Sequence, residues 1–305
     1  MESERKLGGR ASADEVLAGL DLGGRTMVVT GANSGIGYET ARSLAARGAR
    51  VFLACRELAT GERAAAQIRA AHPGALAEAR QLDLASLASV RAFAERLDAP
   101  LVHALICNAG VFSDAYAETA DGYERTVGVC HIGHFQLALS LRERLRAAAP
   151  ARVVMVSSES HRTPKRLRFD RLPLRREKYR ALVAYGQAKL CNVLMANELT
   201  RRWAGDGVTA NSLHPGTLML TGIGRSSRGA RILLTLARPF AKTLVQGAAT
   251  SVYCATAPEL EGSGGEYYVD CKKKPASAEA RDPAIAAGLW EISERWLLAK
   301  GAPGR

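Results

Sequence analysis

The chain has 305 residues, 47% of them hydrophobic and 24% charged, and its 42 Lys and Arg against 30 Asp and Glu give a formal net charge of +12. These are globular proportions, and with 29 Gly and 11 Pro the chain is too poor in turn formers to be low-complexity, which excludes disorder, collagen and coiled coil as the main architecture. At about 150 residues per domain the length suggests two domains, although α/β folds extend to about 250 residues as one.

The first 25 residues are charged throughout and hold no apolar run of signal-peptide length, so residues 1–20 read as a loosely held arm ahead of a domain over 21–305. Short apolar runs then alternate with helical patterns. Residues 26–30, 50–55, 101–107 and 152–156 read as buried strands. Between them, a helix over 36–47 ends at Gly48, one over 61–71 stops before Pro73 and Gly74, and one over 86–97 opens on a capping Ser86. The second half predicts a helix over 185–202, a strand over 208–213, a helix over 246–255, a strand over 266–269 and a helix over 284–299. Regular strand–helix succession predicts right-handed βαβ units, hence an α/β fold with a doubly wound parallel sheet of Rossmann type in a single domain. The six cysteines are scattered singly, as in a reducing compartment, and no apolar stretch reaches the roughly 18 residues of a spanning helix. A cytoplasmic protein, or one peripheral to a membrane, is expected.

Directly after the first strand comes Thr30-Gly31-Ala32-Asn33-Ser34-Gly35-Ile36-Gly37, opening a helix. Glycines there permit a tight turn, backbone approach to a pyrophosphate and close helix–strand packing, with the anion at the helix N-terminus. A dinucleotide fold carries Asp or Glu about 20 residues on, where it accepts hydrogen bonds from the ribose. Here that place holds Arg56, beside Glu57. Arginine binds phosphate where a carboxylate would repel it, so NADP(H) is expected in preference to NAD(H), with NAD(H) not excluded.

Tyr185 and Lys189 are four apart at the start of a predicted helix, on one face. An ammonium beside a phenol favours the phenolate, which would let Tyr185 exchange a proton with an alcohol or carbonyl oxygen. Ser158, after the strand over 152–156, could hold that oxygen. With the Gly-rich loop, Asp83, and Asn108-Ala109-Gly110, these motifs resemble the short-chain dehydrogenase/reductase family, in order and over nearly the whole chain. The resemblance implies Ser158, Tyr185 and Lys189 as catalytic residues, with substrate at Ser158 and Tyr185. It implies cofactor contacts at Gly31, Asn33, Ser34, Gly35, Ile36, Gly37, Arg56, Asp83, Leu84, Asn108, Ala109 and Gly110, at Tyr185 and Lys189 on the nicotinamide ribose, and at Pro215 and Gly216. No metal is implied. The stretches 156–162, 236–240, 246–250 and 258–262 look most like the WW domain-containing oxidoreductase branch, then the microsomal retinol dehydrogenases. Neither the WW modules of the first nor the anchor of the second is expected here.

One position departs from the family. Where its members carry an Asn that supports a helix distortion, whose main-chain carbonyl holds a water of the proton relay, this chain has Cys130, followed by His131-Ile132-Gly133-His134-Phe135. Cysteine keeps the carbonyl but loses the carboxamide. Two function classes follow: an NADP(H)-dependent oxidoreductase acting on CH–OH groups, or a cofactor-binding interaction or regulatory protein with weak or no turnover. The segment 161–180 holds nine basic residues against two acidic, a net +7. A solvated loop explains it, as does peripheral contact with an acidic surface; nucleic acid is not expected, stacking aromatics being sparse. Family placement makes about 216–245 a substrate-covering segment, and its leucines suggest an apolar carbonyl or alcohol such as a lipid aldehyde, retinoid or steroid, although core packing explains them equally. A homodimer is left open.

Overall fold

The computed structural model describes residues 7–163, 167–169, 172–216 and 242–300. In chain order the first half forms α1 (Ala13–Val16), β1 (Thr26–Thr30), α2 (Gly35–Ala45), β2 (Arg50–Cys55), α3 (Leu58–Ala71), β3 (Leu76–Gln81), α4 (Leu87–Arg96) and β4 (Ala104–Cys107). There follow α5 (Arg125–Val127), a π turn (Gly128–Ile132), α6 (Gly133–Ala147), β5 (Ala151–Val156), α7 (Ala181–Arg202), β6 (Val208–His214), α8 (Leu244–Thr256), β7 (Tyr267–Val269), β8 (Lys272–Lys274) and α9 (Pro283–Leu298). The strands make one sheet in the order β3-β2-β1-β4-β5-β6-β7-β8, parallel except for the last pair. The order reverses between β1 and β4, and ligands of open α/β sheets bind outside the strand ends at such a point.

Period-two alternation sends successive side chains to opposite faces of the sheet. On β1, Val28 joins one apolar cluster while Met27 and Val29 join the other. The first cluster is completed by α4, α6, α7 and α9, the second by α2, α3 and α8. Each fully buried Val or Leu contributes about 1.5–3 kcal/mol, so a strand buried on both faces is held strongly without any polar contact.

Three features differ from the sequence expectation. Residues 7–20 are not a loose arm: Ala13, Val16 and Leu17 are buried with the α2 and α8 side chains. A capping box between Ser12 and Glu15 starts α1, Asp14 pairs with Arg42 at 2.8 Å, and Gln246 Nε2 donates to the Arg10 carbonyl at 3.0 Å. The strand expected from residue 101 begins at Ala104. Two edge strands escaped the apolar-run criterion because edges are half wet: β3, LAEARQ, and β8, three lysines joined to β7 through Asp270 and Cys271, both at positive φ. Residues 217–241, the bulk of the expected substrate cover, lie outside the described residues. No helix among the described residues is long and apolar enough to cross a membrane.

Candidate active site

The Gly-rich turn joins β1 to α2 and is tied to the loop after β4. Asn108 Nδ2 donates to the Thr30 carbonyl at 2.8 Å, and the backbone N–H groups of Asn108 and Ala109 donate to Thr30 Oγ1 at 3.0 and 2.9 Å. This closeness dictates glycine. A Cβ on Gly31, which sits at φ +66°, would lie 3.0 Å from the Ala109 Cβ; one on Gly37 would lie 2.4 Å from the Gly31 oxygen and 2.5 Å from Asn108 Nδ2. Ser34 occupies the N-cap of α2 yet makes no side-chain capping bond, so the first amides of that helix are open to an anion. Ile36 is buried under the loop. Cys55 closes the floor, its thiol pushed up to about 11 by burial although the Ala32 and Asn33 amides face it.

A cavity of about 380 Å³ extends from this loop along the ends of β2, β3 and β4. Gly31, Asn33, Arg56, Asp83, Leu84, Ala109 and Gly110, all expected from the sequence, line it. Arg56 keeps its side chain 60% exposed, 3.5 Å from Glu57. Arg125 and Val129 also line the cavity and were missed. Their four-residue spacing on one helix turn was the available signal once Val129, next to Cys130, is placed. Cavity, open helix N-terminus and close-approach glycines fit an elongated anionic dinucleotide.

The second half of the site gathers around Gly110. A Cβ there would stand 3.3 Å from Lys189 Nζ and 3.5 Å from Cys130 Sγ. α7 begins before Tyr185, which places both Tyr185 and Lys189 inside the regular helix. Lys189 is buried; its Nζ donates to the Val156 carbonyl at 2.9 Å and lies 5.6 Å from the centre of the Tyr185 ring. Phe112 meets that ring edge-on at 5.6 Å. The two serines after β5 separate by role. Ser157 Oγ is committed to the Lys189 carbonyl at 2.7 Å, whereas Ser158 Oγ has only a long bond to Ser160 Oγ at 3.3 Å and accepts from the Ser160 N–H. Among the described residues, Ser158 Oγ is thus the less engaged of the two hydroxyls.

Cys130 sits in the π turn, fully buried. Its sulfur accepts from the Val111 N–H at 3.4 Å and its S–H faces the Val111 carbonyl at 3.7 Å. Burial raises the thiol pKa, with the Lys189 charge pulling back only in part, so the donor proton stays on sulfur. The two histidines of the motif diverge: His131 Nε2 lies 2.8 Å from Ser293 Oγ on α9, His134 Nε2 2.9 Å from Thr30 Oγ1 on β1. Pro215 and Gly216 follow β6. Three side chains of 161–180 are anchored: Arg162 donates to the Pro275 carbonyl at 2.7 Å, Tyr179 to the Ser113 carbonyl at 2.6 Å, and Arg176 stacks 4.8 Å over Tyr116. Lys165, Arg166, Asp170 and Arg171 lie outside the described residues.

Comparisons with known proteins bear out the kinship expected from the motifs. A family model described as short chain dehydrogenase matches residues 25–168. WW domain-containing oxidoreductase of Danio rerio is 49% identical over 308 residues, covering 98% of this chain and 74% of that protein. Retinol dehydrogenase 12 of Mus musculus is 46% identical over 276 residues, covering 90% and 86%. A solved structure from Beutenbergia cavernae, provisionally described as an NAD(P) dependent gluconate 5-dehydrogenase with bound NADP at low occupancy, superposes with a TM-score of 0.65 at 27% identity, covering 82% and 96%.

Proposed function

The chain belongs to the short-chain dehydrogenase family, and from that premise we propose that it is an NADP(H)-dependent oxidoreductase moving a hydride between nicotinamide and a carbonyl or alcohol carbon of an apolar substrate. The observation that carries this reading is the meeting of Lys189 and Cys130 at Gly110, which also lines the cavity below the Gly-rich loop. Dinucleotide site and proton-transfer side chains thus share a wall.

In this reading the open amides of α2 hold the pyrophosphate, Asp83 and Leu84 the adenine end, Asn108 and Ala109 the middle, and Pro215 and Gly216 the nicotinamide end. Arg56, with no carboxylate in the ribose position, favours a 2′-phosphate; the bound NADP in a 27% identical structure supports it. When bound, the nicotinamide supplies or takes the hydride. The protein handles the proton: Tyr185 gives it to the carbonyl oxygen in reduction and takes it from the alcohol in oxidation, while Ser158 Oγ donates a hydrogen bond to that oxygen. Lys189, anchored on Val156, offsets negative charge developing on the phenol. Phe112, edge-on to Tyr185, together with a relative named retinol dehydrogenase, supports an apolar substrate. Exposed Arg175, Arg176, Lys178 and Arg180 support contact of 161–180 with an acidic surface.

The regulatory reading is motivated by the loss of the family Asn and by the basic segment 161–180. The Cys130 thiol still spans both backbone groups of Val111, and the helix distortion is present, which favours catalysis. Titration of NADPH fluorescence followed by a panel of aldehydes and ketones tests the choice. Binding and turnover are expected, with turnover lower by about a hundredfold or more in Tyr185→Phe and binding retained. Binding without turnover, unchanged in that variant, would establish the regulatory reading instead.

A further inference from the structure

His134 is completely buried on α6, and both ring nitrogens are engaged: Nδ1 lies 3.0 Å from the Cys130 carbonyl oxygen and Nε2 2.9 Å from Thr30 Oγ1. Counting hydrogens fixes every direction in this chain of contacts. A carbonyl only accepts, so Nδ1 carries the proton. A hydroxyl has one hydrogen and two lone pairs, and the Asn108 and Ala109 amides take both lone pairs of Thr30. The Thr30 hydrogen must then leave, and Nε2 at 2.9 Å is a better acceptor than the Ile106 carbonyl at 3.4 Å. Nε2 is therefore bare, and the ring is the neutral Nδ1–H tautomer.

We propose that His134 is a positioning residue that locks the Cys130 carbonyl of the π turn to the Thr30 hydroxyl, and through it to the amides of Asn108 and Ala109, holding the proton-transfer wall in register with the cofactor loop. In the π turn the Gly133 N–H donates to the Gly128 carbonyl, five residues back, so the backbone there departs from the ordinary helical ladder. The Cys130 carbonyl of that turn accepts from Nδ1–H. An imidazolium would break the lock, since its Nε2–H would face an oxygen with no lone pair left. Burial holds the ring down at about 4; donation to Cys130 opposes this, and Lys189 from α7 reinforces it. The other titratable neighbours are His131 and the Cys130 thiol, both uncharged at neutral pH because burial lowers the first and raises the second.

The proposal rests on the oxidoreductase reading for its consequence, but the network is tested without turnover. Nitrogen-15 NMR of the histidine-labelled protein is expected to show His134 protonated at Nδ1, bare at Nε2, and not titrating between about pH 5.5 and 9. The Nε2–H tautomer, or a midpoint inside that range, overturns the network whether or not the protein turns a carbonyl over. If the wild type is active, His134→Leu should lower kcat by about tenfold or more while KM for NADPH moves by less than about threefold. His134→Asn, whose amide restores a donor toward the Cys130 carbonyl, should recover part of the loss. Unchanged kcat in both folded variants, against an active wild type, overturns the positioning role alone; an inactive wild type overturns the oxidoreductase reading.

Discussion

Arg56 stands at the end of β2 in an exposed ion pair with Glu57 at 3.5 Å, and a pair of that kind holds an arginine with at most about 1 kcal/mol. The guanidinium can therefore turn to a phosphate. A charge-assisted hydrogen bond contributes about 1.5–3 kcal/mol, so Arg56→Asp should lower the ratio of kcat/KM for NADP(H) over NAD(H) by roughly tenfold to over a hundredfold. Steady-state kinetics with both cofactors measure it, and an unchanged ratio would remove Arg56 from cofactor choice. At this scale the candidate set Ser158, Tyr185 and Lys189 was legible because its chemistry is tied to residue type and short spacing. The motif pointed to Ser158, but the reason that Ser157 is occupied was not legible, because it is a bond to a carbonyl 32 positions away. Arg125 was missed for a related reason: its four-residue spacing from Val129 puts the two on one face, but only the fold shows that this face meets the cavity.

The element most sensitive to a single atom is the β1–α2 turn. A methyl on Gly37 would be forced to 2.4 Å from the Gly31 carbonyl oxygen, which is backbone and cannot swing aside. Gly37→Ala should destabilise the fold by about 1–3 kcal/mol and weaken NADPH binding, measured by urea unfolding and fluorescence titration. Stability and affinity equal to wild type would mean that the turn accommodates a methyl at Gly37. Buried strands and amphipathic helices were legible because both faces of β1, β2 and β5 are covered and read as apolar runs. Strand β8 was not, since an edge strand follows the pairing its neighbour offers rather than its own hydrophobicity. The docking of α1 depended equally on a partner, the α8 surface, that lies at the other end of the chain.

Across the whole molecule, the buried histidines set the response to acid. Burial lowers His131 to about 3 and His134 to about 4, from an ordinary 6.5, and lowers His103, His161 and His214 in the same direction. The unfolded chain then binds protons that the folded one refuses, so stability is complete above about pH 6.5 and falls as pH drops toward the folded values, by up to about 1.4 kcal/mol per unit for each histidine. Glu198 acts in a lower window. Burial alone would raise its carboxyl, but Arg201 and Arg202 override this and leave it lowered, so its contribution is lost only as pH falls through the carboxylate range. Denaturant unfolding between about pH 7.5 and 4.5 should show a steady loss, and His131→Gln should flatten it; an equal slope in that variant would exclude His131 as a source. The sequence by itself determined the succession of βα units, the Gly-rich loop and the spacing of Tyr185 and Lys189, because periodicity and short motifs are local properties of a chain. Only the tertiary structure decided the strand order, and with it the meeting of Thr30 with Asn108 and His134, 78 and 104 positions away. Hydrogen bonds of that span exist only after β1 and β4 are laid side by side, and no local pattern encodes which strands will be neighbours.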